Sequence, residues 1–290
     1  MRNNVFDTAL ILEGGGMKAS YTAGIINTLL ENEIYFDYVT GVSAGSSHCV
    51  NYISRDKERV KKSFVDIVKD PDFGGWKSFM KGEGYFNAYH LYEGIADNNT
   101  LPFHYEDFMD NPARITIPSF NSTKGKTIYW TKDDMPNTTE LMKRVRSSST
   151  VPFLMKPCII DGQYYYDGGL GENGGLLIDK VRKDGFKKLF LVLSHEKGFR
   201  HKEVTHPHIL KKFCKDNTNL YNAMIDRHIK YNKTMDEIDR LEEKGLAYVI
   251  RPSNPIGNLT EKSLSKLEEL YISGYEYGQK NVDEWIKFLY

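Results

Sequence analysis

Residues 9–16 read ALILEGGG and run on into MKASYTAG. An apolar run of strand length stops in three glycines. It restarts, from Lys18 to Glu31, as a helical pattern with Ala23, Ile26 and Leu30 along one side. YFDYVTGV (35–42) then reads as a second strand, and SAGSSHCVNYIS (43–54) opens another helix. Strand, helix, strand, helix is the signature of a parallel sheet with helices on its faces, so an α/β fold is expected. Glycines between a strand end and a helix start suit negative charge, either a phosphate or a charge that exists only during a reaction.

Further along, residues 71–94 (PDFGGWKSFMKGEGYFNAYHLYEG) are irregular and rich in aromatics and glycine. They read as core-packing segments joined by turns, or alternatively as a cover over an active site or a surface that touches lipid. Strands resume at ARITIPSFN (113–121) and KTIYWT (126–131), paired across the turn STKG. A helix is expected around Thr139 to Ser148, and a short hairpin ending in glycines at CIIDGQYYYDGG (158–169). KKLFLVLS (187–194) is a clear buried strand. A charged helix from Thr218 to Lys244, a strand at LAYVIRPS (246–253) and one or two helices from Ser263 to Tyr290 close the chain. No repeat, low-complexity tract or long linker divides it, so 1–290 is expected to be a single domain with a C-terminal helical extension from about residue 205.

The 290 residues are 40% hydrophobic, 13% aromatic and 27% charged, with 39 basic and 39 acidic side chains. That balance argues against nucleic acid as a partner, which would call for a basic excess. The N-terminus has no signal-peptide pattern, and no apolar stretch approaches the roughly 20 residues of a membrane span. A soluble protein is expected, and any membrane contact would be peripheral. Cys49, Cys158 and Cys214 are scattered and odd in number, which fits reduced thiols and a cytoplasmic setting. Oligomeric state is not legible.

In GVSAGS, Gly41, Ser43 and Gly45 satisfy G-x-S-x-G after an apolar strand and before a helix. That is the context of a nucleophile elbow, where the positions two before and two after the serine must be small. The bland alternative is a tight turn in which Ser43 only caps the helix. A serine nucleophile needs N–H donors for its tetrahedral oxyanion, and Gly14, Gly15 and Gly16 could supply them. Gly14, Gly16 and Ala19 also fit G-x-G-x-x-G/A for a dinucleotide, but Asp37 lies at the start of the second strand rather than at its end. For the base there are two candidates. His195 follows the strand LFLVLS and would complete a Ser-His-Asp triad. Asp167 ends a strand, with Gly168 and Gly169 permitting a sharp exit. Spacing leaves the two at parity.

GGGMK, GVSAG and DGG, in this order, resemble the patatin-like phospholipase family, as do RSSSTVPF, the asparagine of GENGG and YVIRPSNPIG. The resemblance covers nearly the whole chain and is nearest to bacterial cytoplasmic-type members. It implies a three-layer α/β/α fold with a mainly parallel central sheet, and a serine acyl hydrolase that cleaves lipid acyl esters through a Ser-Asp dyad and an acyl-enzyme. Carried over, Ser43 is the nucleophile and Asp167 the base, while His195 becomes a loop residue. Gly14, Gly15, Gly16, Met17 and Lys18 form the oxyanion loop, with Gly15 and Gly16 as its main donors. Gly41, Gly45, Gly168 and Gly169 support the motifs, and Asn173 braces the aspartate loop. The chain departs from the family at Lys18, where arginine is common, and at Ala19, where the loop usually ends in glycine. No cofactor and no metal is expected, since nothing has ligand spacing such as H-E-x-x-H. The expected partner is a lipid or acyl-ester substrate, whose pocket walls include Phe73 to Tyr92. Phospholipid, lysophospholipid, neutral acylglycerol and soluble ester are not separated. Two other classes compete: a nucleotide-binding protein using Gly14 to Gly16, and a silent binding protein on the same fold.

Overall fold

The computed structural model describes residues 1–290 except Lys81, Glu83, Asn98, Asn99 and Asp216, and describes Trp76, Lys77 and Asp97 through their backbone alone. Its strands are β1 (Thr8–Leu12), β2 (Tyr38–Gly41), β3 (Arg114–Asn121), β4 (Lys126–Trp130), β5 (Cys158–Ile160), β6 (Gln163–Asp167), β7 (Lys188–Val192) and β8 (Ala247–Ile250). In chain order the helices are α1 (Ser20–Glu31), α2 (Ala44–Ile53), α3 (Lys57–Lys62), α4 (Trp76–Met80), α5 (Ile95–Asp97), α6 (Tyr105–Asp110), α7 (Thr138–Ser149), α8 (Ile178–Lys183), α9 (Pro207–Cys214), α10 (Thr218–Glu243) and α11 (Leu264–Leu289).

Strand β1 is buried along its whole length, and its side chains divide between two cores. Leu10 and Leu12 point into one, Ala9 and Ile11 into the other. Strand β7 divides the same way, with Phe190 and Val192 against Leu189 and Leu191. A strand covered on both faces shows no polar side, which is why both read as unbroken apolar runs. The first core takes side chains from α1, α2, α7 and α11, the second from α8 and α10. The result is the expected three-layer α/β/α architecture.

The sheet order is β5-β6-β3-β2-β1-β7-β8, with β4 also paired to β3. Strands β3, β2, β1, β7 and β8 run parallel, while β4 and β6 pair antiparallel with β3, and β5 antiparallel with β6. Parallel strands send all their carboxyl ends to one edge, so the loops after β1, β2 and β7 meet there.

The C-terminal part is woven into this body. Strand β8 adds to the sheet beside β7, and α11 is one continuous helix whose Trp285 and Leu289 enter the first core. Within 71–94, Phe73 and Phe86 are buried with Met17, Val65 and Leu267; Lys81 and Glu83 of that stretch lie outside the described residues. Among the described residues no helix is long and apolar enough to cross a membrane.

Candidate active site

Two residues after β2, Ser43 takes φ 56° and ψ −127°, a left-handed conformation that side-chain-bearing residues seldom adopt, and α2 starts at once. The flanking glycines let that turn close. A Cβ on Gly41 would stand 2.5 Å from the Gly45 carbonyl oxygen, and one on Gly45 would stand 2.2 Å from that of Leu12. The turn is therefore pressed against the end of β1, which brings Gly14 beside it: a Cβ there would lie 2.7 Å from Ser43 Cβ. The Ser43 N–H donates to Ser148 Oγ of α7 at 3.2 Å.

Asp167 arrives from another direction, at the end of β6 where it faces Ser119 of β3. Gly169 N–H donates to its carboxylate at 2.8 Å, and a side chain on Gly168 would strike the Pro118 carbonyl oxygen at 2.3 Å. Burial pushes the Asp167 carboxyl above its ordinary pKa, against the opposing effect of hydrogen bonds from the Ser43 side chain and Gly169 N–H and of the Arg227 charge. The structure thus brings Ser43 and Asp167, 124 positions apart in sequence, to the same lobe of one crevice, where the Ser43 side chain acts on the Asp167 carboxyl.

Around the glycine loop, the N–H groups of Gly14, Gly15 and Gly16 have no acceptor among the described residues. Two other members of the expected loop depart from that pattern. Met17 N–H donates to the Leu259 carbonyl at 3.0 Å and Lys18 N–H to that of Gly15 at 3.2 Å, because a 3-10 turn begins at Gly16. The left-handed residue of the loop is Gly16, at φ 56°, and Ala19 is ordinarily right-handed at φ −66°. Alanine in place of glycine at position 19 therefore costs the backbone nothing. Asn173, in the segment after Asp167, bonds to Asp179 and to Thr234 Oγ1, which ties that segment to the start of α8 and to α10.

Glu13, unremarked in the sequence reading, is the buried anchor of the loop. Ser194 N–H donates to it at 2.6 Å, Tyr231 OH donates at 2.6 Å, and His195 Nδ1 lies 3.1 Å away. Burial alone would raise its pKa, but His195, Tyr231 and the Ser194 N–H together hold it below the usual carboxylate range. Ser194 Oγ also donates to the Gly14 carbonyl at 2.6 Å, tying the loop to the end of β7. His195 is thus engaged with Glu13, not with Asp167. A charged residue directly after an apolar strand was the available signal for Glu13; its partners come from distant elements.

Ser43 stands between two lobes of one crevice. The first, about 850 Å³ with its mouth, is lined by apolar side chains including Phe64, Phe73, Phe86, Leu91 and Met142. Its buried cation, Arg59, is held by Asn51 Oδ1 at 3.0 Å and by the carbonyls of Leu101 and Pro102. The second lobe, about 1080 Å³ with its mouth, also has apolar walls, among them Phe153, Leu170 and Met224, but carries the charged side chains of Lys18, Asp167 and Arg227 beside His195, His201 and Tyr231.

A family model described as patatin-like phospholipase matches residues 10–179, more than half of the chain. The chain belongs to the patatin-like phospholipase family. This patatin-like chain also matches, over residues 217–290, a model described as a domain of unknown function, DUF6363. It is 25% identical over 195 residues to the uncharacterized protein YjjU of Escherichia coli strain K12, a match covering 63% of this chain and 51% of that relative. The chain thus spans about half the length of the curated relative it matches. Among solved structures it is similar to VipD from Legionella pneumophila, with a TM-score of 0.49 and 14% identity over 96% of this chain and 67% of VipD. Membership makes the chain one of a family of lipid acyl hydrolases.

Proposed function

We propose that the protein is a serine esterase that cleaves a lipid acyl ester through a Ser43–Asp167 dyad. The observation that carries this reading is the strained Ser43 turn beside the half-buried Asp167 carboxylate, at the junction of two lobes of which only the second carries Asp167. The Asp167 carboxylate takes the hydroxyl proton as Ser43 Oγ bonds to the ester carbonyl carbon. The carbonyl oxygen gains the displaced electron pair, and the free N–H groups of Gly15 and Gly16 are the groups able to receive that charge. Collapse expels the alcohol, whose oxygen takes the proton back from Asp167. A water then gives its proton to Asp167 as it attacks the Ser43 ester, and the fatty acid leaves as Ser43 is reprotonated.

A carboxyl whose pKa desolvation raises is a stronger base than a free one, which supports this role for Asp167. The closeness of Gly14 to Ser43 favours a transient charge over a resident pyrophosphate. Peripheral lipid contact belongs to the same proposal, supported by Phe153, which lines the second lobe, is 44% exposed and lies 3.7 Å between ring centroids from exposed Phe213. Three free, buried cysteines support a reducing cytoplasmic setting.

A fluorophosphonate probe is expected to label Ser43, seen by peptide mass spectrometry. Ser43→Ala is expected to lose that labelling and to lower hydrolysis of a p-nitrophenyl ester by at least about 10³-fold. Folded protein that takes no label would refute the esterase reading.

A further inference from the structure

We infer that Arg59, at the far end of the first lobe, selects acyl chains that end in a carboxylate, so that the ester cleaved is one of a dicarboxylic acid. This rests on the function proposed above and adds to it the chemistry of the acyl chain.

The lobe that holds the chain follows from the dyad. Ser43 borders both lobes, but Asp167 borders only the second. Asp167 returns the proton to the departing alcohol oxygen, so the alcohol leaves through the second lobe and the acyl chain lies in the first. Ser43, the N-cap of α2, and Ser47, Val50 and Asn51 within that helix all line the first lobe. Their spacing is that of one helix face, so the lobe runs along α2 from its N-terminus. At about 1.5 Å of rise per residue, Asn51 stands roughly 12 Å along that axis from Ser43.

At that end the wall turns cationic. Arg59 Nε donates to Asn51 Oδ1 at 3.0 Å, and its Nη1 donates to the carbonyls of Leu101 and Pro102. Asn51, Arg59 and Leu101 all line the lobe, so the guanidinium held between them is part of its wall. A guanidinium has five N–H groups, and the two on Nη2 have no acceptor among the described residues. The carboxylate that acts on Arg59, that of Asp56, is engaged elsewhere: it caps α3 by accepting the Arg59 backbone N–H at 2.8 Å, and His104 Nδ1 lies 3.6 Å from it. Burial pulls the Arg59 pKa down to about 10, against the charge of Asp56, and leaves the side chain cationic at neutral pH. The Phe103 ring, its centroid 5.3 Å from the guanidinium carbon, adds a π-face but no counter-charge.

Arg59 is 6% exposed, and a buried cation without a counter-charge is costly. A carboxylate carried in on the acyl chain offsets that cost, whereas a methyl end leaves it in place. Phe64, Phe73, Phe86 and Leu91 of the same lobe suit the methylenes in between. The chemical step is the one described above: the bond from the carbonyl carbon to the alcohol oxygen breaks, and water releases the acyl group from Ser43 as the diacid.

The test compares p-nitrophenyl hydrogen decanedioate with p-nitrophenyl decanoate, and p-nitrophenyl hydrogen hexanedioate with p-nitrophenyl hexanoate, all as soluble monomers. With carbon–carbon bonds of about 1.5 Å, an extended ten-carbon chain spans roughly the distance from Ser43 to Asn51, and a six-carbon chain roughly half of it. In wild type the ratio of kcat/KM, carboxyl end over methyl end, is expected to be at least about tenfold higher for the ten-carbon pair than for the six-carbon pair, equivalent to about 1.4 kcal/mol. Arg59→Met, which fills the same space without charge, should lower the ten-carbon ratio about tenfold, mainly through KM. Lys57→Gln, an exposed charge on the same helix, should leave it within about twofold of wild type. Equal wild-type ratios at the two lengths, an unchanged ratio in Arg59→Met, or an equal fall in Lys57→Gln would overturn the inference. The wild-type lengths decide it even where Arg59→Met does not fold. An equal preference for p-nitrophenyl 10-hydroxydecanoate would assign the site to any hydrogen-bond acceptor and overturn the carboxylate reading. If wild type takes the fluorophosphonate label and hydrolyses the decanoate while the ratios are flat, only the inference fails. If wild type neither labels nor hydrolyses any of these esters, the esterase reading fails and the inference with it.

Discussion

At Ser43 the chain holds a φ of 56° that costs of order 1–3 kcal/mol for a residue with a side chain, and at Asp167 it holds a half-buried, partly desolvated carboxylate. Both costs sit at the same contact, and each has a consequence for pH and stability. Burial raises the folded-state pKa of Asp167 above its ordinary value of 3.8, so the folded protein holds that proton more tightly than the unfolded chain. The carboxyl's contribution to stability is present at low pH and is lost as pH rises through the folded-state pKa. Asp167→Asn, which fixes the neutral state and keeps an acceptor for Gly169 N–H, is therefore expected to raise Tm at pH 7. It should also cut turnover by about 10²–10⁴-fold, the usual contribution of a general base. A variant that is both inactive and less stable would show that the charge is net stabilising. In the wild type, the acid limb of kcat/KM should lie above the ordinary carboxylate range, because only ionised Asp167 can take the Ser43 proton.

Helices α1 and α11 meet through glycine. A Cβ on Gly274 would stand 2.0 Å from the Tyr21 carbonyl oxygen, one on Gly24 would stand 2.3 Å from that of Tyr271, and one on Gly278 would stand 2.4 Å from Thr28 Oγ1. A glycine inside a helix sacrifices about 1 kcal/mol relative to alanine. Here it allows backbone-to-backbone approach, and Thr28, Tyr271 and Asn27 hydrogen-bond at the same seam. Gly274→Val would force the helices apart and is expected to lower stability by roughly 1–3 kcal/mol or more, measured by urea unfolding. An unchanged midpoint would mean that α11 can lift from α1 without loss. This seam also sets where the segment before α11 runs, and that segment supplies the Leu259 carbonyl to Met17 N–H.

Across the whole molecule, the last helix closes the core that the first strand opens. Trp285 is fully buried and meets Phe190 of β7 edge-on, with ring centroids 5.6 Å apart. Trp285→Ala is expected to cost about 3–5 kcal/mol, read from chemical denaturation, because a cavity of that size does not refill. A loss below 1 kcal/mol would show that α11 is an appendage rather than part of the core.

How much of this was legible follows the range of the interactions. The strand-helix alternation of residues 9–54, the β3–β4 and β5–β6 pairings and the elbow at Ser43 are local: apolar periodicity, turn residues and glycines forced by close approach leave their mark in short stretches. Residues 71–94 lacked a single period because they both fill a core and wall a crevice. Met17 and Lys18 were placed in the oxyanion loop behind Gly15 and Gly16 as its main donors, and their own N–H groups go to the Leu259 and Gly15 carbonyls. By itself the sequence determined the α/β layering and brought Ser43, Asp167 and the glycine loop forward as candidates. Only the tertiary structure decided that His195 turns to Glu13, that Asn173 turns to α8 and that the Arg227 charge acts on Asp167. Those choices depend on which side chains meet across the carboxyl edge of a parallel sheet, and residues drawn from 13 to 259 share no local pattern that could announce the meeting.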